Sequence, residues 1–127
     1  MRINTIRIPC LDLAEATVFY ETAIGLQGKF GSTEKGYVGF QLENAQLLLE
    51  PQERGEFECG RYLGFSIEVE DIFLFYAECQ KRGVSFTAAP QIQHWGGTMT
   101  HIKDCSGNTF SVVQPAPNQG LDQLNFT

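Results

Sequence analysis

The 127-residue chain carries 15 acidic against 9 basic side chains, for a net charge of −6, and is 43% hydrophobic and 12% aromatic. That length suits one compact domain with its own core, and the acidic balance excludes the basic footprint that nucleic acid or an anionic membrane surface requires. With no apolar run of about eighteen residues and no signal-peptide core, the expected setting is cytoplasmic, with no membrane partner. The cysteines Cys10, Cys59, Cys79 and Cys105 are scattered, with no Cys-x-x-Cys pair, and read as free thiols rather than nucleophiles or zinc ligands.

In chain order, Thr5 to Leu11 reads as a strand leading into Asp12, which caps a helix closed by Gly25. Three short strands are then expected, over Leu26 to Ser32, Tyr37 to Leu42 and Ala45 to Glu50. Pro51 to Arg61 is polar and glycine-bearing and suits an exposed linker. Leu63 to Asp71 alternates strictly, with Phe65, Ile67 and Val69 on one side and Gly64, Ser66 and Glu68 on the other, the pattern of a strand with one buried face. Asp71 caps a second helix, running to Arg82, with Ile72, Phe75, Tyr76 and Cys79 on its apolar stripe and Gly83 as its stop. Strands over Val84 to Ala88, Thr98 to Lys103 and Thr109 to Gln114 complete the series, with a Pro90 loop through Trp95 and a tight turn over Asp104 to Asn108 between them.

Asp12 and Asp71 stand 59 residues apart, and the same shift lays Thr5 on Gly64, Ile6 and Ile8 on Phe65 and Ile67, and Leu13, Ala16, Thr17 and Tyr20 on Ile72, Phe75, Tyr76 and Cys79. The register slips by one at the closing glycine. A repeat of about half the chain argues for two copies of one supersecondary unit. Module 1 is placed at about 1–52, the linker at 53–61, module 2 at 62–115 and a tail at 116–127, all within one domain.

Asp12-Leu13 before a helix holding Phe19-Tyr20 and ending Ile24-Gly25-Leu26, with Trp95-Gly96 and Asp104-Cys105-Ser106-Gly107-Asn108 in the second module, resembles the vicinal oxygen chelate superfamily of glyoxalases, bleomycin-resistance proteins and extradiol dioxygenases. The resemblance covers roughly residues 3 to 115. It implies an α+β fold in which tandem βαβββ modules form a curled mixed sheet, a cup holding a small molecule, with the helices outside; it also implies a homodimer. Enzymes of this family commonly hold a divalent metal at four strand positions, which fall here on Thr5, Leu48, Gly64 and Ser111, with Glu50 near the second. Glycine and leucine supply no donor atom, and neutral hydroxyls are poor ligands for such cations. No metal and no other cofactor is expected.

Alternation aims Thr5, Arg7, Ser66, Glu68, Thr109, Ser111 and Val113 into the cup and Ile6, Ile8, Phe65, Ile67, Val69, Phe110 and Val112 beneath the helices. The expected ligand-binding residues of cup and rim are Thr5, Arg7, Leu48, Glu50, Ser66, Glu68, Trp95, His101 and Ser111. Arg7 and Glu68 are read either as ligand-orienting groups or as each other's partner. Trp95 is read as a stacking surface or as a plug, and Phe30, Phe57, Phe40, Tyr37 and Tyr62 as groove or core. The leading function is metal-independent small-molecule binding, resembling that of bleomycin-resistance proteins. The alternatives are a lyase, isomerase or dioxygenase relative using rearranged ligands such as Glu50, Glu68 and His101 or acid/base chemistry without metal, and a domain serving a protein contact. No catalytic residue is assigned.

Overall fold

The structure, a computed structural model, describes residues 1–117, so the expected tail lies almost wholly outside the described residues. The described strands are β1 (Thr5–Cys10), β2 (Lys29–Ser32), β3 (Tyr37–Gln41), β4 (Gln46–Pro51), β5 (Tyr62–Glu68), β6 (Ser85–Phe86), β7 (Gln91–Ile92), β8 (Thr98–Lys103) and β9 (Thr109–Gln114). The helices are α1 (Leu13–Val18), continued by a π-helical segment over Phe19–Ile24, and α2 (Ile72–Lys81). The fold is α+β, and its strands pair into two sheets. Their orders are β1-β4-β3-β2 and β5-β9-β8-β6, with β7 on β8. Position by position the two orders match, so the sequence repeat is a repeat of sheet topology. By compactness the chain divides into two units, Met1–Leu63 with Lys103–Thr109, and Gly64–Ile102 with the chain from Phe110.

In the first unit, Asp12 caps α1 by accepting a hydrogen bond from the Glu15 N–H at 3.0 Å, and Gly25 closes the segment at φ 94°. The Gly25 N–H reaches the Tyr20 carbonyl five residues back, the wider turn of a π-helix. That width absorbs the extra residue by which the first repeat is longer between aspartate and glycine. Ala16, Tyr20 and Ile24 are buried on the helix, and Ile8, Val38, Phe40, Leu47 and Leu49 on the sheet. Each of the Val, Leu, Ile and Phe side chains among them contributes about 1.5–3 kcal/mol on burial. β1 lies parallel to β4, pairing Ile8 with Leu49.

The turn after β8 belongs to this first unit and anchors it through a buried carboxylate. Asp104 Oδ2 accepts from the Tyr20 hydroxyl at 2.6 Å and from Asn108 Nδ2 at 3.2 Å, and Oδ1 accepts the N–H groups of Ser106 and Asn108 at 2.9 Å each. Asn108 in turn donates to the Pro9 carbonyl and accepts from the Gly60 N–H, while Ser106 Oγ accepts from the Leu11 N–H. A buried carboxylate with four donors is satisfied, which is the condition for tolerating it. The motif that suggested the family is thus a polar hub.

In the second unit, Asp71 caps α2 through the Leu74 N–H at 3.1 Å. Gln114 Oε1 accepts from the Ile72 N–H at 2.9 Å. Burial along β5 alternates as the sequence predicts, with Phe65 and Ile67 half-buried and Gly64, Ser66 and Glu68 exposed. Phe65 stacks on Phe110 at 5.3 Å, and Tyr76 meets Phe86 edge-on at 4.7 Å.

Three expectations about elements need correction. β2 begins at Lys29 rather than Leu26, since Gly28 takes φ 74° and is not extended. The strand expected over Val84 to Ala88 shortens to two residues, and β7, pairing Gln91 with Met99 and Ile92 with Thr98, was not foreseen. The linker is not featureless: Glu53 and Phe57 exchange backbone hydrogen bonds at 2.8 Å in both directions, closing a small hairpin.

Candidate functional site: the sheet faces opposite the helices

Strand register sets the first unit's open face. Arg7 lies beside Leu48, Leu48 beside Gly39 and Gly39 beside Phe30, one line across all four strands of the sheet. Because neighbours on one line share a face, this line is opposite the buried Leu47 and Leu49. Thr5, Gln46 and Gln41 make a second, polar line on the same face, with Gln46 Nε2 donating to Gln41 Oε1 at 3.0 Å.

At one end of the first line, Arg7 Nε donates to Glu50 Oε1 at 2.5 Å. The Arg7 guanidinium also sits 4.4 Å from the centroid of the Phe57 ring. The linker hairpin delivers that ring, so a segment read as an exposed connector supplies a wall of the face. The Glu50 hydrogen bond and charge, with Glu53 adding to them, raise the Arg7 pKa further above its ordinary value, and the side chain stays cationic. At the other end the Phe30 ring folds over Gly39, where a Cβ would overlap it.

The second unit's expected site residues are mostly polar. Ser111 Oγ and His101 Nδ1 are 2.9 Å apart, with Ser111 buried and His101 half-buried. Ser66 and Glu68 are exposed on β5. Trp95 sits in the turn between β7 and β8, 39% exposed, its ring laid over Gly97.

Of the nine expected site residues, the structure therefore joins Arg7, Leu48 and Glu50, puts Thr5 on the same face, and separately joins His101 with Ser111. Ser66, Glu68 and Trp95 have no contact with that pair among the contacts described. The expected alternative partner for Arg7, Glu68, is replaced by Glu50, brought beside it by the parallel β1–β4 pairing. Gly39 was not singled out from sequence, although a glycine inside a strand of bulky residues marks a close approach.

A shallow groove beside the start of α2, lined by Val69, Phe73, Leu74, Glu78, Arg82 and Gln114, includes none of these residues. No thiol is activated. Burial pushes Cys10 up to about 12 and Cys105 up to about 11, the Asp104 charge adding to both, and Cys59 and Cys79 are raised chiefly by burial. At neutral pH the nucleophilic thiolate is scarce.

The profile of the Glyoxalase/Bleomycin resistance protein/Dioxygenase superfamily matches residues 2–112. The chain belongs to this superfamily. It is 26% identical over 118 residues to a bleomycin resistance protein of Klebsiella pneumoniae, an alignment covering 87% of this chain and 90% of that protein. Its fold superposes at TM-score 0.78 on a superfamily member from Sphaerobacter thermophilus, at 26% identity and covering 91% and 98% of the two chains. An antibiotic binding protein from Streptomyces sp. CB03234 shares the fold at TM-score 0.76 and 20% identity, covering 91% and 97%.

The family resemblance assigns a divalent cation's ligands to four strand positions. The corresponding positions are a threonine, a leucine, a glycine and a serine. Two stronger donors make contacts of their own, Glu50 with Arg7 and His101 with Ser111. Among the described residues no three His, Cys, Asp or Glu side chains are grouped so as to hold an ion. No helix among them is long and apolar enough to cross a membrane.

Proposed function

We propose that this protein binds a small organic molecule without a metal, in the manner its bleomycin-resistance relative's name implies, and holds it on a sheet face rather than in a catalytic centre. The observation that carries the reading is the Arg7–Leu48–Gly39–Phe30 line. It offers apolar surface, an aromatic ring and one oriented cation, and the carboxylate beside it, Glu50, is engaged by Arg7. We take both modules as one domain, active as a cytoplasmic homodimer. Thr5, Arg7, Leu48 and Glu50 are the proposed contacts in the first unit, and Ser66, Glu68, Trp95, His101 and Ser111 those in the second.

The test is a thermal-shift screen of chelator-treated protein against bleomycin and other antibiotics, with and without added Mn²⁺, Zn²⁺ or Fe²⁺. A ligand at about 100 times its Kd stabilises the folded state by about 2.7 kcal/mol, a readily measured shift. Stabilisation independent of metal is the expected result. Stoichiometric metal in protein purified without chelator, lost in Glu50→Ala or His101→Ala, would overturn the metal-free reading. The Ser111–His101 hydrogen bond favours one second reading, acid/base chemistry without metal, for which turnover abolished in His101→Ala is the evidence required.

A further inference from the structure

Among the described residues ten glycines adopt positive φ, where a side chain is strained, but Gly39 is not one of them. Its backbone would accept any residue, but a Cβ there would meet the tip of the Phe30 ring, which would have to move aside. Space, not conformation, explains the glycine. The neighbouring positions on β3, Val38 and Phe40, are bulky and face the core.

We propose that Gly39 is a specificity-determining residue of the first unit's open face, acting through Phe30. It lets the ring lie down on the sheet, where ring and Leu48 form a flat apolar floor for a planar aromatic group of the ligand. A side chain at 39 lifts the ring into the ligand's space. The polar end of the line defines the ligand further. Arg7 gives Nε to Glu50 Oε1 and its face to Phe57. A cation and a carboxylate so paired set a donor beside an acceptor, which suits a neutral edge that both donates and accepts, such as a carboxamide. The inference rests on the proposed binding role. A ring laid over a cross-strand glycine also steadies a sheet edge with no ligand involved, so the test has to read binding.

The probe is 2-naphthamide, titrated into the full chain and followed by amide NMR, beside adamantane-1-carboxamide, which has the same edge on a globular body. The flat probe is expected to shift the Gly39 and Leu48 amides and to bind about tenfold more tightly than the globular one, the scale of one aromatic stacking contact. Gly39→Ala and Phe30→Ala are each expected to lose that advantage. In a Phe30→Ala background the Gly39→Ala change adds nothing, since the ring through which it acts is gone. Full affinity in Gly39→Ala, or losses that add in the double variant, overturn the inference and leave the binding role standing. Binding that moves only residues off this face overturns both. Should Gly39→Ala not fold, Phe30→Ala still reports on the floor, as does the ring-current shift of the Gly39 Hα in the unaltered protein; a normal Hα position refutes the arrangement.

Discussion

The two repeats share an order of strands and an aspartate cap, yet their open faces have diverged in opposite directions. The first presents Phe30, Leu48 and a cation held between Phe57 and Glu50; the second presents a serine–histidine pair and an exposed Ser66 and Glu68. The helices diverge too. α1 widens into a π-helical turn, Tyr20 of which meets the Asp104 hub, while α2 is regular and ends at Lys81, with Arg82 as its C-cap. Buried faces are held alike by packing, because a change there leaves a cavity or an unpaired group. Open faces carry no such constraint, and their difference is where function is to be sought.

The largest expected effect probes the first unit's hub. Asp104→Ala removes the acceptor of the Tyr20 hydroxyl, of two backbone N–H groups and of one of the two Asn108 Nδ2 bonds, and is expected to cost about 4 kcal/mol by urea denaturation. Its counterpart in the second unit, Gln114→Ala, frees only the Ile72 N–H and should cost about 1 kcal/mol. Equal losses would show that the polar hub is not special to the first unit.

Alkaline titration sharpens the same contrast. Burial, reinforced by the Asp104 charge, holds the Tyr20 pKa well above 10.0, and burial holds Cys10 at about 12 against an ordinary 9.0. Both folded pKa values are raised, so their stability is fully present below pH 9 and drains away as the unfolded state ionises above it. Denaturation midpoints should therefore fall from about pH 9 upward. Cys10→Ala should flatten the early part of the fall and Tyr20→Phe the later part. A flat profile to pH 11 in the unaltered protein contradicts this account.

The smallest effects on stability are expected on the open faces. Arg7→Ala removes an exposed ion pair and should cost under about 1 kcal/mol. Ser111→Ala, losing one half-buried hydrogen bond, should cost about 1 kcal/mol. In binding the order separates: Arg7→Ala and Leu48→Arg are expected to weaken ligand uptake about tenfold, and the second unit's contacts less, Ser111→Ala and His101→Ala by about threefold each. A reversal would move the principal contacts to the second unit.

Much of the fold was legible because its signals are local. Asp12 and Asp71 announce both helix starts, β5 shows its faces by alternation, and the one-residue slip between the repeats marks the π-helical turn. β7 was missed because two residues after Pro90 carry no periodicity. The site was legible only in parts. Arg7, Leu48 and Glu50 could be placed on a face, but the Arg7–Glu50 pair spans 43 residues and depends on the parallel β1–β4 register, which no local pattern reveals. In sequence Phe57 reads as groove or core, but its place over Arg7 depends on a hairpin visible only in backbone hydrogen bonds. Gly39 left a signal, a glycine between Val38 and Phe40 in a strand, that points to a close neighbour without naming it.

The most direct test of the central claim is calorimetric titration of bleomycin into chelator-stripped protein and into its Leu48→Arg variant. The account predicts saturable binding to the stripped protein, unchanged on adding Mn²⁺ or Zn²⁺ and weakened at least about tenfold by the arginine, whose charge and bulk would fill the apolar floor. Binding that appears only when metal is restored, or that is indifferent to Leu48→Arg, would contradict it.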